Sequence, residues 1–380
     1  MARPCRRRVF RAGTGLFITA SVLCAAAPSI HWLVAARVLQ GIGGAGILAL
    51  GVALLRTIVP ASRFGTAIGW NAMTVALTSA AGPGVGTLVL SVAPWPWLFL
   101  VNLPVGLVIL VAGRALPRVR GTGAPVDRTS VALNVGAFGC FVAGVELLPA
   151  RLPAAGGCIL FAVVCGALLV ARQWRIATPL LPLDLLGQAR FGRAIVASIL
   201  CFEGQTAGMI ALPFYLHGSI GMAPMTMAGC LALWPLSVAA VGSWAGKWAD
   251  AGRTGALCLA GSVLLCTGFT SAILLPLAHF PLAFGVCALS GGLGFGLFNV
   301  ANNRRLFMAA PLHRSGAAGG QQGLARLVGQ IAGGLLLTVL FTVAPAAMAP
   351  RIGLAIAAAL TLTAGITSVI NRQQGLPKWR

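Results

Sequence analysis

One carboxylate in this chain stands apart from the other four. Glu203 lies near the centre of an apolar stretch, 194–214, while Asp127, Asp184 and Asp250 fall in polar connections and Glu146 near the end of its stretch. Burial disfavours the charged form of a carboxylate. Such a group can hold a proton and release it, or exchange it for a cationic substrate. Arg37 is set within another apolar stretch. An arginine at mid-membrane costs about 2.5–3.5 kcal/mol on insertion scales, so it must face protein or a wet cavity, where a hydrogen-bond anchoring role suits it. Gly82, Pro83, Gly84 and Gly86 form a third feature. Proline removes a helix hydrogen bond and bends the helix, and glycines beside it permit tight packing. Gly246, Asp250, Gly252 and Arg253 form a fourth. They make a tight turn that can act as a charge-paired latch between helices or stand solvated. Gln321, Gln322 and Arg326 make a fifth, a polar group that caps or pairs near a helix end.

Several chemistries are excluded. His31, His217, His279 and His313 are scattered, without acids nearby in sequence. The ten cysteines show no metal-ligand spacing and no C-x-x-C. No Walker loop appears, so ATP is not the direct energy source. The chain therefore reads as no enzyme, with no metal and no cofactor.

The elements that must position these residues follow from composition. The chain is 58% hydrophobic and 8% charged, unlike a soluble domain. About 20 apolar residues span a bilayer as a helix. Twelve such stretches are predicted: 11–29, 31–55, 65–92, 95–113, 130–149, 155–171, 194–214, 224–245, 255–277, 281–303, 316–343 and 348–370. Twenty-three of the 27 Lys and Arg residues fall in every second gap, and the alternate gaps hold only Arg151 and Arg351. Positive residues in short loops stay on the cytoplasmic side, so both termini are expected there. The formal charge of +22 is spread over membrane-proximal loops, which suits anionic lipid headgroups rather than nucleic acid. Trp32, Trp95 and Trp97 fall at the outer edge, and Trp174, Trp244, Trp248 and Trp379 at the inner edge, as an interfacial belt requires. Cys24, Cys140, Cys158, Cys165, Cys201, Cys230, Cys258, Cys266 and Cys287 lie within spans, as small packed thiols.

The expected architecture is an all-α polytopic membrane protein of four, two and six spans. Its parts are an N-terminal helical bundle (1–115), a two-span linker (116–193), a C-terminal six-helix bundle (194–371) and a cytoplasmic tail (372–380). Residues 8–24 and 252–266 resemble each other, each a basic turn feeding an apolar helix that ends in Ser-Val-Leu and Cys. Such parallel repeats mark a transporter built of two similar halves. The second copy has a fuller lead-in, Gly246 to Arg253, and the first has only Met1 to Arg7. The front of the first half is therefore expected to be missing.

Four segments then carry a family resemblance: Arg37-Val38-Leu39-Gln40-Gly41, Ala81-Gly82-Pro83-Gly84-Val85-Gly86, Trp97 to Gly106, and, more loosely, Gly246 to Arg253. Pro213-Phe214-Tyr215-Leu216-His217 adds a fifth likeness. Together, in this order, they resemble the major facilitator superfamily, and within it the fourteen-span drug/proton antiporters of the EmrB/QacA type. The resemblance implies a major facilitator fold and multidrug efflux driven by protons. It also implies that Arg37 tunes protonation of a nearby acid, that Gln40 and Gly41 belong to the fourth-span motif, and that Gly82 to Gly86 form the antiporter motif. The helix of Glu203 would open the second half and line the cavity. By this alignment the chain begins before the family's third span, and no residue inherits the coupling carboxylate of the family's first helix. The expected protein is a secondary transporter of the cell inner membrane, exporting a lipophilic, cationic small molecule against protons. An uptake or metabolite carrier of the same fold is the first alternative, and a truncated, transport-inactive fragment the second.

Overall fold

The computed structural model describes residues 6–116, 127–147, 151–176, 183–222, 224–274, 281–345 and 347–370. The expected tail 372–380, with Trp379, and His279 lie outside the described residues. Among the described residues the chain is helical throughout, with no strand.

The elements run α1 (Arg6–Ala25), α2 (Ile30–Ile58), α3 (Phe64–Val92), α4 (Trp97–Leu100), α5 (Asn102–Ala112), α6 (Arg128–Leu147) and α7 (Leu152–Gln173). They continue as α8 (Leu183–Leu186), α9 (Ala189–Phe214), α10 (Pro224–Asp250), α11 (Thr254–Leu274), α12 (Pro281–Ala309), α13 (Ser315–Val343) and α14 (Ala349–Val369). Ten of the described helices are long and apolar enough to cross a membrane, and Trp97–Ala112 is a shorter apolar stretch. With α3, 29 residues long, these account for the predicted stretches. The chain is a multi-pass membrane protein.

Local rules explain the boundaries. Ser29 caps α2, accepting from the Trp32 backbone N–H at 3.3 Å. The expected span 95–113 is instead two pieces broken at Val101. Pro104 lacks an N–H, and its ring crowds the Leu100 carbonyl four residues back, where α4 ends. In α9, Pro213 leaves the Met209 carbonyl unpaired by the helix ladder. The chain then widens into a π-turn, Tyr215–Ser219, with the Ile220 N–H on the Tyr215 carbonyl at 3.2 Å. Several helices outrun their predicted stretches at one end: α10 reaches Asp250 and α12 reaches Ala309. The extra turns carry Lys247 and Asp250 in α10 and Arg304 and Arg305 in α12.

The inner end is the one bearing the basic connections. Trp32, Trp95 and Trp97 stand exposed toward the outer end, and Trp174, Trp244 and Trp248 toward the inner. Five of the nine described cysteines are buried, and all nine are free thiols. The core lies among α9 to α14, where Phe191, Phe269, Phe284, Phe298 and Phe307 are fully enclosed, and it takes in Phe64, Ile68, Ala72 and Ala76 of α3 and Leu185 of α8. Here α9 packs on α13 and α14, α11 on α12 and α14, and α10 on α12. At the other side α1 packs on α2 and α5, while α6 and α7 form a hairpin packed on each other. Helix α3 lies mainly against α10 and touches α12.

Candidate functional site

The α3–α10 contact is built from glycines. Gly65 and Gly69 on α3 face Gly242 and Gly246 on α10, each pair four residues apart. A Cβ on Gly65 would stand 2.7 Å from the Gly246 carbonyl oxygen, and one on Gly246 would stand 2.6 Å from the Gly65 carbonyl oxygen. A Cβ on Gly69 would overlap the Gly242 carbonyl. The bare backbones thus meet directly, as small-residue pairs allow between helices in lipid.

This approach delivers Asp250, the last residue of α10, to the start of α3. Its carboxylate accepts from the Gly65 N–H at 2.7 Å, the Thr66 N–H at 2.8 Å and the Thr66 Oγ1 at 2.8 Å. It also accepts from Arg304 Nε of α12 at 2.9 Å. The Asp250 side chain is 10% exposed and Arg304 16%. A helix N-terminus presents unpaired N–H groups and a partial positive charge, so a carboxylate placed there is stabilised twice. Gly252, with φ +84°, ends α10 in a Schellman turn: the Arg253 N–H reaches the Trp248 carbonyl and the Gly252 N–H the Ala249 carbonyl. Of the residues expected at this latch, Gly246, Asp250 and Gly252 are thus placed together. Arg253 is not the charge partner: it is exposed, and among the described residues its guanidinium makes no hydrogen bond. The partner is Arg304, read from sequence only as a basic-loop residue. Its signal was weak, because its acid lies 54 residues away in the chain.

A second inner contact joins α2 to α13. Arg56 donates to the Ser315 Oγ at 3.1 Å and to the Ala310 carbonyl at 2.7 Å. A Cβ on Gly319 would stand 2.6 Å from the Ala49 carbonyl oxygen, so these helices also meet closely. The other two loop acids pair at the same end. Asp127 accepts from Arg172 Nε at 2.7 Å and from the Ser130 hydroxyl at 2.6 Å. Asp184 takes both guanidinium nitrogens of Arg314. These hydrogen bonds hold both carboxyls below the ordinary carboxylate range.

Glu203 sits on α9, half-buried, and among the described residues its carboxylate makes no hydrogen bond or ion pair. Helix α13 closes on the α9 backbone at this position: a Cβ on Gly329 would stand 3.0 Å from the Glu203 nitrogen, and one on Gly333 would overlap its carbonyl oxygen. Next to Glu203, Phe202 meets Phe295 of α12 edge-on at 5.6 Å. Toward the inner end of α9 lies a polar cluster that sequence reading did not assemble. The Asn302 amide donates to the Ala194 carbonyl at 2.9 Å and to Ser198 Oγ at 2.8 Å, and Ser198 donates to Gln322 Oε1 at 3.0 Å. Asn302 Oδ1, Gln321 Nε2 and Arg326 Nε are buried without a protein partner. Two adjacent asparagines, Asn302 and Asn303, inside an apolar stretch were the available signal.

Two expected sites fall elsewhere. Arg37 lies in the second turn of α2, exposed, toward the outer end. It donates to Gln40 Oε1 at 2.7 Å and lies 5.3 Å over the Phe99 ring. Gln40 is buried and donates to Ser21 Oγ of α1 at 2.8 Å. The structure thus brings Arg37 to an amide and a ring, and no described hydrogen bond or ion pair joins it to an acid. A Cβ on Gly41 would meet nothing within 4 Å; the close-contact glycine is Gly43, against Phe17 and Gly13. Helix α3 runs unbroken through Gly82, Pro83 and Gly84, and a Cβ on Gly82 or Gly86 would meet nothing within 4 Å.

Comparison with known proteins bears on the fold and the family. An uncharacterised transporter of Escherichia coli K12, YebQ, is 34% identical over 339 residues, covering 88% of this chain and 74% of that protein. The riboflavin transporter RibZ of Clostridioides difficile is 25% identical over 82% of this chain and 68% of its own. The multidrug efflux pump LfrA of Mycolicibacterium smegmatis is 32% identical over 89% and 68%. The crystal structure of the human organic anion transporter MFSD10 superposes with a TM-score of 0.71 at 15% identity, over 96% of this chain and 77% of that one, a likeness of fold. The sequence profile of the Major Facilitator Superfamily matches residues 2–334, and the chain belongs to that superfamily.

Proposed function

We propose that this chain is a proton-coupled exporter of lipophilic, cationic small molecules in the cell inner membrane, working by alternating access. The observation that carries the reading is Asp250 seated on the N-terminus of α3 and on Arg304, which ties elements of the two halves at the inner end. Breaking those hydrogen bonds frees α3 to swing from α10 and opens the inner end. Forming them shuts it. The helices rock about a midplane site, as in other transporters built from repeats. In this reading Glu203 is the proton or cation site: a half-buried carboxylate without a fixed partner is free to exchange one for the other. The buried unpaired atoms of Asn302, Gln321 and Arg326 fit a wet cavity below it, since such atoms need partners away from water. The chain Arg37–Gln40–Ser21 fixes α2 on α1, and Gly82, Pro83, Gly84 and Gly86 give α3 a seal against whatever packs on its open outer face.

Efflux as the direction draws on the likeness to LfrA. A metabolite carrier is the second reading, favoured by the likeness to RibZ. The two separate in everted membrane vesicles energised with a proton gradient. Uptake of a lipophilic cation such as tetraphenylphosphonium, abolished by a protonophore, supports the first. Transport of riboflavin without transport of the cation supports the second. Glu203→Gln should leave protein in the membrane at the wild-type level and abolish coupled transport. Full coupled transport by that variant removes Glu203 from the mechanism.

A further inference from the structure

The polar cluster where α9, α12 and α13 meet holds hydrogen-bonding groups that the protein does not use. Asn302 of α12 is 1% exposed. Its amide nitrogen donates to the Ala194 carbonyl and to Ser198 Oγ of α9, at 2.9 and 2.8 Å. A carbonyl can only accept, so the orientation of that amide is fixed. Asn302 Oδ1 is the atom left over, buried without a partner. Ser198 donates in turn to Gln322 Oε1 of α13 at 3.0 Å. One chain of hydrogen bonds therefore crosses three helices and ends in an unused acceptor.

Arg326 stands next on the same face of α13. Residues three and four apart share a helix face. Gln322, four before it, is bonded to α9. Gly329, three after it, lies against the α9 backbone at Ile199, Phe202 and Glu203. Long helical side chains lean toward the N-terminus of their helix, which carries the Arg326 guanidinium toward Gln322 and the cluster. Its Nε is buried without a partner, and among the described residues the guanidinium makes no hydrogen bond or ion pair. Three of the chain's five acids are committed to Arg172, Arg304 and Arg314. Arg326 is the twelfth residue of a 29-residue span, where an uncompensated charge is costly.

We propose that Arg326, with Ser198, Gln322 and Asn302, binds the carboxylate of a zwitterionic substrate. A guanidinium matches a carboxylate through two parallel N–H···O bonds. The unused Asn302 oxygen takes an N–H or O–H of the same molecule, or a bridging water. A plain cation would meet the like charge of Arg326. This deepens the export reading and rests on it for the identity of the ligand: the lipophilic cation that is carried also bears a carboxylate.

The test uses the purified chain in detergent and two fluorescent probes that differ at one group. Rhodamine 110 is a zwitterion with a free carboxylate, and rhodamine 123 is its methyl ester, a plain cation. Binding is read by fluorescence polarisation with no gradient imposed, so it stands or falls apart from the vesicle assay that tests export. Rhodamine 110 should bind about tenfold more tightly, the lower end for a hydrogen bond between charged groups. Arg326→Gln should erase that preference. Arg326→Lys keeps the charge without the planar fork and should retain part of it. An unpaired buried charge destabilises, so Arg326→Gln should melt no lower than wild type when no probe is present. Equal binding of the two probes by wild type overturns the proposal, as does a preference that survives Arg326→Gln. A clear fall in the melting temperature of Arg326→Gln would make Arg326 a structural anchor and overturn it too. Tighter binding of the methyl ester would assign the cluster to a plain cation, with the same consequence.

Discussion

The two ends of α3 carry the same residue type in opposite situations. At the inner end, Gly65 and Gly69 lie against the α10 backbone, and an added Cβ would strike a carbonyl or Asp250. At the outer end, Gly82 and Gly86 belong to the more conspicuous Gly-Pro motif, yet an added Cβ meets open space. A glycine-rich motif thus does not by itself report close packing. What decides is whether a second helix presents small residues in register, as Gly242 and Gly246 do for Gly65 and Gly69. The inner end is held by contacts that tolerate no side chain. At the outer end Gly82 and Gly86 leave room for a side chain.

Several changes would break or sharpen this contrast. The largest effect is expected at the latch. Asp250→Ala strands two backbone N–H groups, the Thr66 hydroxyl and Arg304 together. Removing one partner of a nearly buried pair costs about 3 kcal/mol, the lower end for such losses, or about a hundredfold in the ratio of closed to open inner ends. Limited proteolysis at the inner connections should accelerate by a comparable factor, and transport should fall. A variant cut no faster than wild type would remove Asp250 from the closure.

Next comes Gly69→Leu, which pushes α3 from α10. Overpacking costs about 1–3 kcal/mol and more where backbone is struck, so the melting temperature in detergent should fall clearly. On the outer half of the same helix, Gly82→Ala and Gly86→Ala should change melting by amounts within about 0.5 kcal/mol, as expected for open positions. Equal destabilisation by Gly69→Leu and Gly82→Ala would erase the distinction between the two ends.

The smallest effect belongs to the exposed pair Asp184–Arg314. The carboxyl of Asp184 is depressed by its hydrogen bonds to Arg314. A group with a depressed folded value stabilises above its unfolded value and loses that contribution as pH falls through the folded one. The pair is more than half exposed on the acid's side, so its contribution stays below about 1 kcal/mol. Asp184→Asn should therefore melt slightly lower than wild type at pH 7, and the gap should close as the pH drops below the usual carboxylate range. A gap that widened with acid would contradict the pairing.

Much of the architecture was legible because two independent signals agreed. Apolar runs set the helices, and alternating arginines set their direction. The break at Val101 was available in Pro104, but the apolar run from 95 to 113 hid it. The inner extensions of α10 and α12 were hidden for the opposite reason: Lys247, Asp250, Arg304 and Arg305 interrupt the apolar runs by which spans are read, so the reading stopped short of the helix ends. Asp250 was legible as a candidate site residue from its glycine-flanked turn. Its partners were not, since Gly65, Thr66 and Arg304 come from distant segments and their spacing becomes meaningful only when α3, α10 and α12 meet. Arg37 shows the converse. The family resemblance implied an acid near it, whereas its place within an apolar run asked only for a hydrogen-bond anchor, and the structure sets it beside Gln40 and over Phe99.

The central claim is that the Asp250 contact between α10 and α3 closes the inner end and releases it during transport. The most direct measurement is the distance between spin labels at Arg63 and Arg253, two exposed positions beside the latch, read by pulsed dipolar spectroscopy in reconstituted protein. Two distances should be resolved, with Asp250→Asn and an imposed proton gradient each transferring population from the shorter to the longer. A single distance, indifferent to both the substitution and the gradient, would contradict the account.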